Sequence, residues 1–223
     1  DRLIGIDPHT SVIALYGRGP LAEWAVRRKV RILFLGGNAD GLPVPVLAVN
    51  SAQMAAAALA RLSALGHTRM VIPLCDRAEP FKVAMRAVTR EAVEATGQTY
   101  VPSYHNPESD YLEPDVTLRI MQSLFSKVPP TALVLLDWKE FVTVHSYLAR
   151  IRLLVPEDGS IMLLSESMES NWFHPELSRF RFPFQKILRA LVRWLHGSWN
   201  GEDWIRMQPD FVTGATIAPV RGK

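Results

Sequence analysis

Short apolar runs alternate with helical patterns along most of the chain, and this alternation is the strongest constraint on the fold. The apolar runs lie at residues 12–15, 32–35, 44–49, 70–74, 133–136 and 161–164. The helical patterns lie at 20–29, 51–65, 81–96, 116–125, 138–150 and 184–195. Strands that are apolar without alternation are typical of parallel sheets covered on both faces. The order therefore predicts an α/β protein built from repeated βαβ units.

The two ends of the sequence depart from this order. Residues 3–6 have the composition of a buried strand with no segment leading into it. Residues 207–217 favour an irregular strand, and Pro209, Gly214 and Pro219 predict that it lies at a sheet edge.

Composition excludes several classes of protein. With 223 residues, 48% of them apolar, the chain can bury a large core, which argues against disorder. The net charge of +3 is scattered, whereas nucleic-acid binding needs a concentrated basic face. No apolar stretch reaches the length of a membrane span, so no membrane partner is predicted. The single cysteine, Cys75, forms no internal disulfide and indicates a reducing compartment, the cytoplasm.

Enzymatic motifs are weak in this sequence. The segment around Gly17 and Gly19 loosely matches a dinucleotide-binding turn, but Pro20 removes an amide donor, and a tight strand-to-helix turn is the better interpretation. Cys75 follows an apolar run without a nearby histidine to act as a base. The histidines lack the spacing of a metal site. We therefore expect no enzyme activity, no metal and no cofactor.

Aromatic side chains follow two of the predicted strands. Trp138 lies beyond the run at 133–136, and Trp172 and Phe173 lie beyond the run at 161–164. Ligands of open α/β sheets bind outside the carboxyl ends of strands, so these rings are candidates for ligand contact. Ordinary packing explains them equally well.

Five stretches occur in an order that resembles the effector-binding core of the lactose and galactose repressor family. They are residues 62–72 with Gly66-His67, 130–137 ending in Asp137, 155–161 with Val-Pro-Glu-Asp-Gly-Ser-Ile, 182–184 with Phe-Pro-Phe, and 209–216. The chain also departs from the family pattern. Leu136 replaces the Asn of an Asn-Asp pair, a ligand-binding Asp falls near Ser165-Glu166, and an expected Arg falls between Lys82 and Arg86.

This resemblance implies a two-lobed fold like that of type I periplasmic sugar-binding proteins. Residues 1–66 with 182–200 would form the first lobe, and 67–181 with 201–223 the second. The resemblance further implies a ligand held between the lobes, hinge closure on binding, a homodimer, and operator DNA bound through a helix-turn-helix head outside this sequence. The family's two opening βα units would also lie outside it.

The expected ligand contacts are polar or aromatic residues at predicted strand ends. They are Asp7, His9, Asn38, Asp76, Lys82, Arg86, Asp137, Trp138, Ser165 and Glu166. Their carboxylates, amides and one indole suit a sugar or sugar derivative, and either base could bind an anionic or a hydroxylated ligand. Two alternatives remain: a solute-binding protein of a sugar transporter, and an α/β enzyme that uses Cys75 or the Gly17 turn.

Overall fold

The computed structural model describes residues 10–198 and 209–220. The described parts of Asp1–Asn50 and Pro183–Pro209 form one compact unit, and those of Ser51–Phe182 and Asp210–Lys223 form a second. The strands are β1 Ser11–Gly17, β2 Arg31–Gly37, β3 Val46–Leu47, β4 Met70–Val71, β5 Leu74–Cys75, β6 Glu108–Ser109, β7 Ala132–Leu135, β8 Ser160–Leu163, β9 Arg179–Arg181 and β10 Asp210–Val212. The helices are α1 Gly19–Arg28, α2 Ser51–Ala64, α3 Glu79–Ala95, α4 Pro102–His105, α5 Pro114–Lys127, α6 Trp138–Arg150 and α7 Phe184–Leu195.

The first unit is built on a parallel sheet in the order β1-β2-β3. Its central strand supplies Ile32, Leu33 and Phe34, all buried, because the apolar run at 32–35 is covered on both faces. On one face α1 packs against Ile32 and Phe34. On the other, α7 contributes Ala190 and Trp194. This unit therefore has helices on both faces of a small sheet.

The second unit contains a five-stranded sheet in the order β10-β9-β8-β7-β4. Neighbouring strands are parallel except for β10, which runs antiparallel to β9. A separate parallel pair, β5 and β6, accompanies it. Every residue of β7 and β8 is buried, as continuous apolar runs require. The predicted α/β class with mainly parallel sheets is confirmed.

Several elements differ from the sequence prediction. The run at 70–74 is two short strands, β4 and β5, because Pro73 between them has no amide hydrogen to donate to a sheet. The run at 44–49 contributes only the two residues of β3. The short elements α4, β6 and β9 were not predicted, since segments of two to four residues carry no measurable periodicity.

The chain ends are described only in part. Residues 3–6, predicted as a strand, lie outside the described residues. Within the predicted irregular strand at 207–217, β10 occupies Asp210–Val212. Gly214 follows it where a Cβ would lie 2.1 Å from the carbonyl oxygen of Glu176. Only glycine permits so close an approach of two backbones.

The two compact units do not coincide with the predicted lobe boundaries. The family resemblance implied that residues 51–66 belong to the first lobe, whereas α2 groups with the second compact unit. There α2 packs against α3 and β7, and its face bearing Met54, Ala58 and Leu62 is buried. The division into ligand-binding lobes stays a proposal.

Candidate functional site

Polar residues gather in the second unit where β5, β6 and β7 end. Asp76 and Arg77 follow β5, Asp110 follows the last residue of β6, and Asp137 follows β7 after one residue. The pair β5 and β6 is separate from the sheet that contains β7, but the charge of Arg77, after β5, acts on Glu140, after β7. The carboxyl ends of parallel strands are where α/β proteins bind ligands. We call the side chains of Asp76, Arg77, Glu79, Lys82, Arg86, Glu108, Asp110, Asp137 and Glu140 the strand-end cluster.

Asp76 adopts an unusual backbone conformation just after β5. Its φ of 48° lies in the left-handed region, which residues other than glycine rarely occupy. Its amide donates a hydrogen bond to the carbonyl of Ser109 over 2.9 Å, so β6 holds the turn in place. The side chain is exposed, and within the described part of the chain its carboxylate has no hydrogen-bond partner. Strained residues of this kind are concentrated at functional sites.

Lys82 and Arg86 lie one turn apart on α3 and both contact Glu108 of β6. The Nζ atom of Lys82 is 3.4 Å from Oε2 of Glu108 and 3.8 Å from Oδ1 of Asp110. Arg86 donates hydrogen bonds to Oε1 of Glu108 and to Oε1 of Glu79. These hydrogen bonds, first to Glu79 and then to Glu108, raise the pKa of Arg86. Both predicted donors are therefore present, but each is already paired with carboxylates of this chain.

Asp137 begins α6 as its N-cap. Its Oδ1 atom accepts a hydrogen bond from the amide of Lys139 over 2.8 Å. Glu140 completes the reciprocal cap, because its Oε2 atom accepts from the amides of Asp137 and Leu136 over 3.1 and 2.8 Å. The predicted contact Asp137 thus has a structural role that the sequence also signals, in an Asp followed three residues later by Glu.

Glu140 is a candidate site residue that the sequence prediction did not include. It is 1% exposed, and its Oε1 atom is buried without a hydrogen-bond partner in the described structure. Burial raises the pKa of its carboxyl group to about 7, against the opposing effects of the Leu136 amide and the Arg77 charge. A buried carboxyl with one unsatisfied oxygen is costly, and such groups mark candidate sites.

Cys75, at the end of β5, lies beside this cluster. Its side chain is fully buried, and burial, followed by the charge of Glu140, raises the pKa of its thiol to about 11. Nucleophilic cysteines need the opposite shift, because the thiolate is the reactive form. The surroundings of Cys75 therefore do not suit a catalytic nucleophile.

An aromatic stack follows β7. The ring of Trp138 stacks on Phe141 at a centroid distance of 5.1 Å, and Phe141 stacks on His145 at 5.6 Å. Phe173 meets Phe141 and His145 edge-on. Half-buried Trp138 thus belongs to a packed stack, whereas Trp172 is 90% exposed. Of the rings noted at strand ends, Trp172 offers the largest open surface.

Ser165 and Glu166 lie beyond the end of β8, as the sequence predicted. Both are half-buried. The amide of Phe182 donates a hydrogen bond to Oε2 of Glu166 over 2.7 Å, and Nε of Arg181 lies 4.0 Å from its Oε1. Glu166 therefore anchors the chain where it leaves β9.

The other predicted contacts fall in the first unit or outside the described residues. Asp7 and His9 lie outside them. Asn38 is exposed after β2, and its Oδ1 atom accepts a hydrogen bond from the amide of Asp40 over 2.9 Å. At Gly17 a Cβ would lie 2.4 Å from the ring of Phe34. Close packing thus explains this glycine without a phosphate.

A cavity of about 310 Å³ lies in the first unit. It is bordered by Lys29, Arg31 and Trp194 among others, at the residues that enter β2. The guanidinium of Arg31 is already placed over the ring of Trp194, 4.5 Å from its centroid. Because this opening is at the amino end of its strand and contains none of the predicted contacts, we assign the candidate site to the strand-end cluster instead.

Among residues 10–198 and 209–220, no group of three or more His, Cys, Asp or Glu side chains is arranged to hold a metal ion. No helix in the same residues combines the length and the apolar character that crossing a membrane requires.

Known proteins share this architecture. The family model of the periplasmic binding protein-like domain matches residues 59–209. A LacI family transcriptional regulator from Bifidobacterium animalis subsp. lactis superposes with a TM-score of 0.75 at 19% identity, over 95% of this chain and 79% of that one. Transcription regulator CcpA of Lactococcus lactis gives 0.79 at 11% identity, over 93% and 78%.

A third solved structure contains a ligand. The LacI family transcriptional regulator from Enterococcus faecium, with bound ribose, superposes with a TM-score of 0.73 at 15% identity, over 94% of this chain and 80% of that one. Among curated protein sequences there is no match to this chain. With sequence identities of 11–19%, these structural similarities establish the fold of the chain.

Proposed function

Because the chain belongs to the family of periplasmic binding protein-like domains, we propose that it is the effector-binding domain of a bacterial transcription regulator. It binds a small molecule, a sugar or sugar derivative, and this binding controls DNA binding by a helix-turn-helix segment outside this chain. The solved proteins of the same fold described above are transcription regulators, which supports this proposal over a transporter's solute-binding protein. Such a regulator works in the cytoplasm, as a homodimer on operator DNA.

The observation that carries the proposal is the strand-end cluster. It combines carboxylates, three basic side chains and an unpaired buried oxygen near the carboxyl ends of parallel strands. Groups of this kind pair with hydroxyls, and an exposed indole such as Trp172 offers a face on which a sugar ring can stack. The cluster contains no nucleophile with a neighbouring base, and the raised thiol pKa of Cys75 argues against covalent catalysis there.

Regulation requires that the effector bind two conformations of the protein unequally. A ligand shifts a conformational equilibrium only by the difference between its affinities for the two states. Asp76 follows the short strand β5 and Glu108 begins β6, and both would sense the ligand directly. Typical coupling free energies of about 1–3 kcal/mol suffice to change DNA affinity by one to two orders of magnitude.

The first test is thermal unfolding of the protein with mono- and disaccharides, pentoses, sugar acids and purines. A ligand that binds only the folded state, present at a hundred times its dissociation constant, stabilises that state by about 2.7 kcal/mol. We expect one sugar of the panel to raise the melting temperature. If no compound does so, and none alters binding to operator DNA in a reporter strain, the proposed function is wrong.

Asp76→Asn locates the site. Asparagine tolerates the left-handed conformation, and the replaced carboxylate has no partner in the described structure, so folding should be unchanged. Losing a charged hydrogen-bond acceptor should weaken sugar binding about tenfold to a hundredfold, as measured by titration calorimetry. Glu157→Gln removes the same charge from an exposed position outside the cluster and should bind like the original protein. Equal affinities for the two variants would place the site elsewhere.

A further inference from the structure

Two basic side chains at the strand ends are neutralised by the chain itself. Lys82 is 8% exposed, and its ammonium group lies within 3.8 Å of carboxylates of both Glu108 and Asp110. Arg86 is hydrogen-bonded to Glu79 and Glu108. Glu108 uses one oxygen for each base, so a single β6 side chain occupies both donors. An incoming phosphate or carboxylate would have to displace this carboxylate.

The charges around these two bases are negative in sum. Three carboxylates, those of Glu79, Glu108 and Asp110, face two cations. Asp76 adds a further exposed carboxylate at the same place, because its amide is hydrogen-bonded to Ser109, the residue between Glu108 and Asp110. The neighbouring Arg77 adds a third cation, so four carboxylates stand against three cations and the balance stays negative. A negative field repels an anionic ligand and attracts a cationic one, and ion pairs shielded from solvent are screened least by salt.

Glu140 lies near these bases and has a buried Oε1 atom without a hydrogen-bond partner in the described structure. Glu140 also acts electrostatically on Cys75, as do Arg77 and Lys82, which places these side chains in one neighbourhood. The buried Nε of Arg77 in the same neighbourhood also lacks a hydrogen-bond partner among the described residues. A ligand hydroxyl can donate to the Glu140 oxygen and accept from the Arg77 Nε, whereas an ionised ligand carboxylate can only accept. This neighbourhood therefore favours the same kind of ligand as the charge balance does.

We propose that the strand-end cluster selects against negative charge, so that the effector is a neutral or amine-bearing polyhydroxyl compound and not a phosphorylated or carboxylated one. This inference rests on the proposed function and narrows its ligand class. Lys82 and Arg86 serve to fix the carboxylate of Glu108, which accepts hydrogen bonds from the ligand, and they do not bind an anion themselves. The position of Glu108 between the two bases is thus the determinant of selectivity.

The experiment removes that determinant. Calorimetric titration of inorganic phosphate should give no measurable binding to the original protein. In Glu108→Gln the two bases lose their shared carboxylate, and phosphate affinity should rise by about tenfold or more. Glu91→Gln, an exposed residue on α3, changes the net charge equally and should leave phosphate binding unmeasurable. An equal gain in both variants, or no gain in Glu108→Gln, would contradict the proposal.

A second arm uses matched sugars on the original protein: glucose, glucosamine, glucose phosphate and glucuronate. The two anions, glucose phosphate and glucuronate, should each bind less tightly than glucose or glucosamine. Binding of glucose phosphate in preference to glucose would overturn the inference while leaving a sugar-sensing function intact. If none of the four binds but phosphate affinity rises only in Glu108→Gln, the selectivity stands and the proposed sugar ligand fails.

The remaining risk is that Glu108→Gln unfolds, since Lys82 would lose a partner while buried. Glu79→Gln avoids it, because Glu79 is 64% exposed at its side chain and contacts only Arg86 of the two bases. Circular dichroism would verify the fold of each variant. If Glu108→Gln unfolds, a rise in phosphate affinity in folded Glu79→Gln supports the proposal, and no rise there contradicts it.

Discussion

Phe141→Ala is expected to lower the free energy of unfolding by about 3–5 kcal/mol, the usual cost of removing a buried aromatic side chain. Phe141 is 1% exposed and belongs to the main core cluster of the second unit. Its ring also lies in the middle of the stack, between Trp138 and His145, with Phe173 against its edge. Truncation leaves these three rings without their common partner, so collapse around the cavity can restore little of the contact.

Urea denaturation followed by circular dichroism measures this loss. Val142→Ala is the matched control, because Val142 is the next residue of α6 and is 46% exposed. It should change stability by less than about 0.5 kcal/mol. If Phe141→Ala lowers the free energy of unfolding no more than Val142→Ala does, the aromatic stack does not hold α6 at the end of β7.

Glu140→Gln is expected to change how stability depends on pH. The folded-state pKa of this carboxyl, about 7, lies above its usual value of 4.5, so the folded protein binds the proton more tightly than the unfolded chain. Between those two values the folded state carries more protons, and stability therefore falls as the pH rises. The loss is on the order of 3 kcal/mol and is complete above the folded-state pKa.

Glutamine removes this loss while keeping the cap, because its side-chain oxygen can accept the same amide hydrogen bonds from Leu136 and Asp137. Unfolding free energies should be compared from pH 4.5 to pH 8, with Glu157→Gln as a control that retains the original slope. Relative to the control, Glu140→Gln should gain stability as the pH rises. Parallel curves for the two variants would show that Glu140 stays ionised in the folded state.

The histidines make this difference measurement necessary. Burial lowers the pKa of His67, His105 and His145 below 6.5. A base with a lowered pKa contributes stability that is present at high pH and is lost as the pH falls, which is the opposite sign from Glu140. The pH dependence of the free energy of unfolding therefore combines both effects. The difference between the two variants cancels the contribution of the histidines.

The fold was predictable because burial on both faces leaves a signal in three of the strands, β2, β7 and β8. Residues 32–35, 133–136 and 161–164 are apolar throughout and form β2, β7 and β8 within one or two residues. Helix α6 begins at the predicted residue, since Asp137 and Glu140 signal its cap. The pair β5 and β6 was not predictable, because β6 consists of two polar residues whose pairing depends on contacts distant in sequence.

The candidate site was predictable only in part, for a related reason. Lys82 and Arg86 stand four residues apart, so their common helix face could be deduced from spacing alone. Their partner Glu108 is 22 residues beyond Arg86 along the chain, and nothing local links the two. The spacing of these two bases alone consequently left both anionic and hydroxylated ligands open. The contact with Glu108 is the observation on which the proposed preference between them rests.

The position of Cys75 gives the protein a built-in reporter of motion. It is the single cysteine of the chain, it is fully buried, and it ends the short strand that leads into Asp76. A thiol reagent can modify it only when β5 opens to solvent, so the labelling rate measures local opening beside the strand-end cluster. A bound effector that holds this strand closed would slow the labelling, and the protein would report its own occupancy without any added probe site.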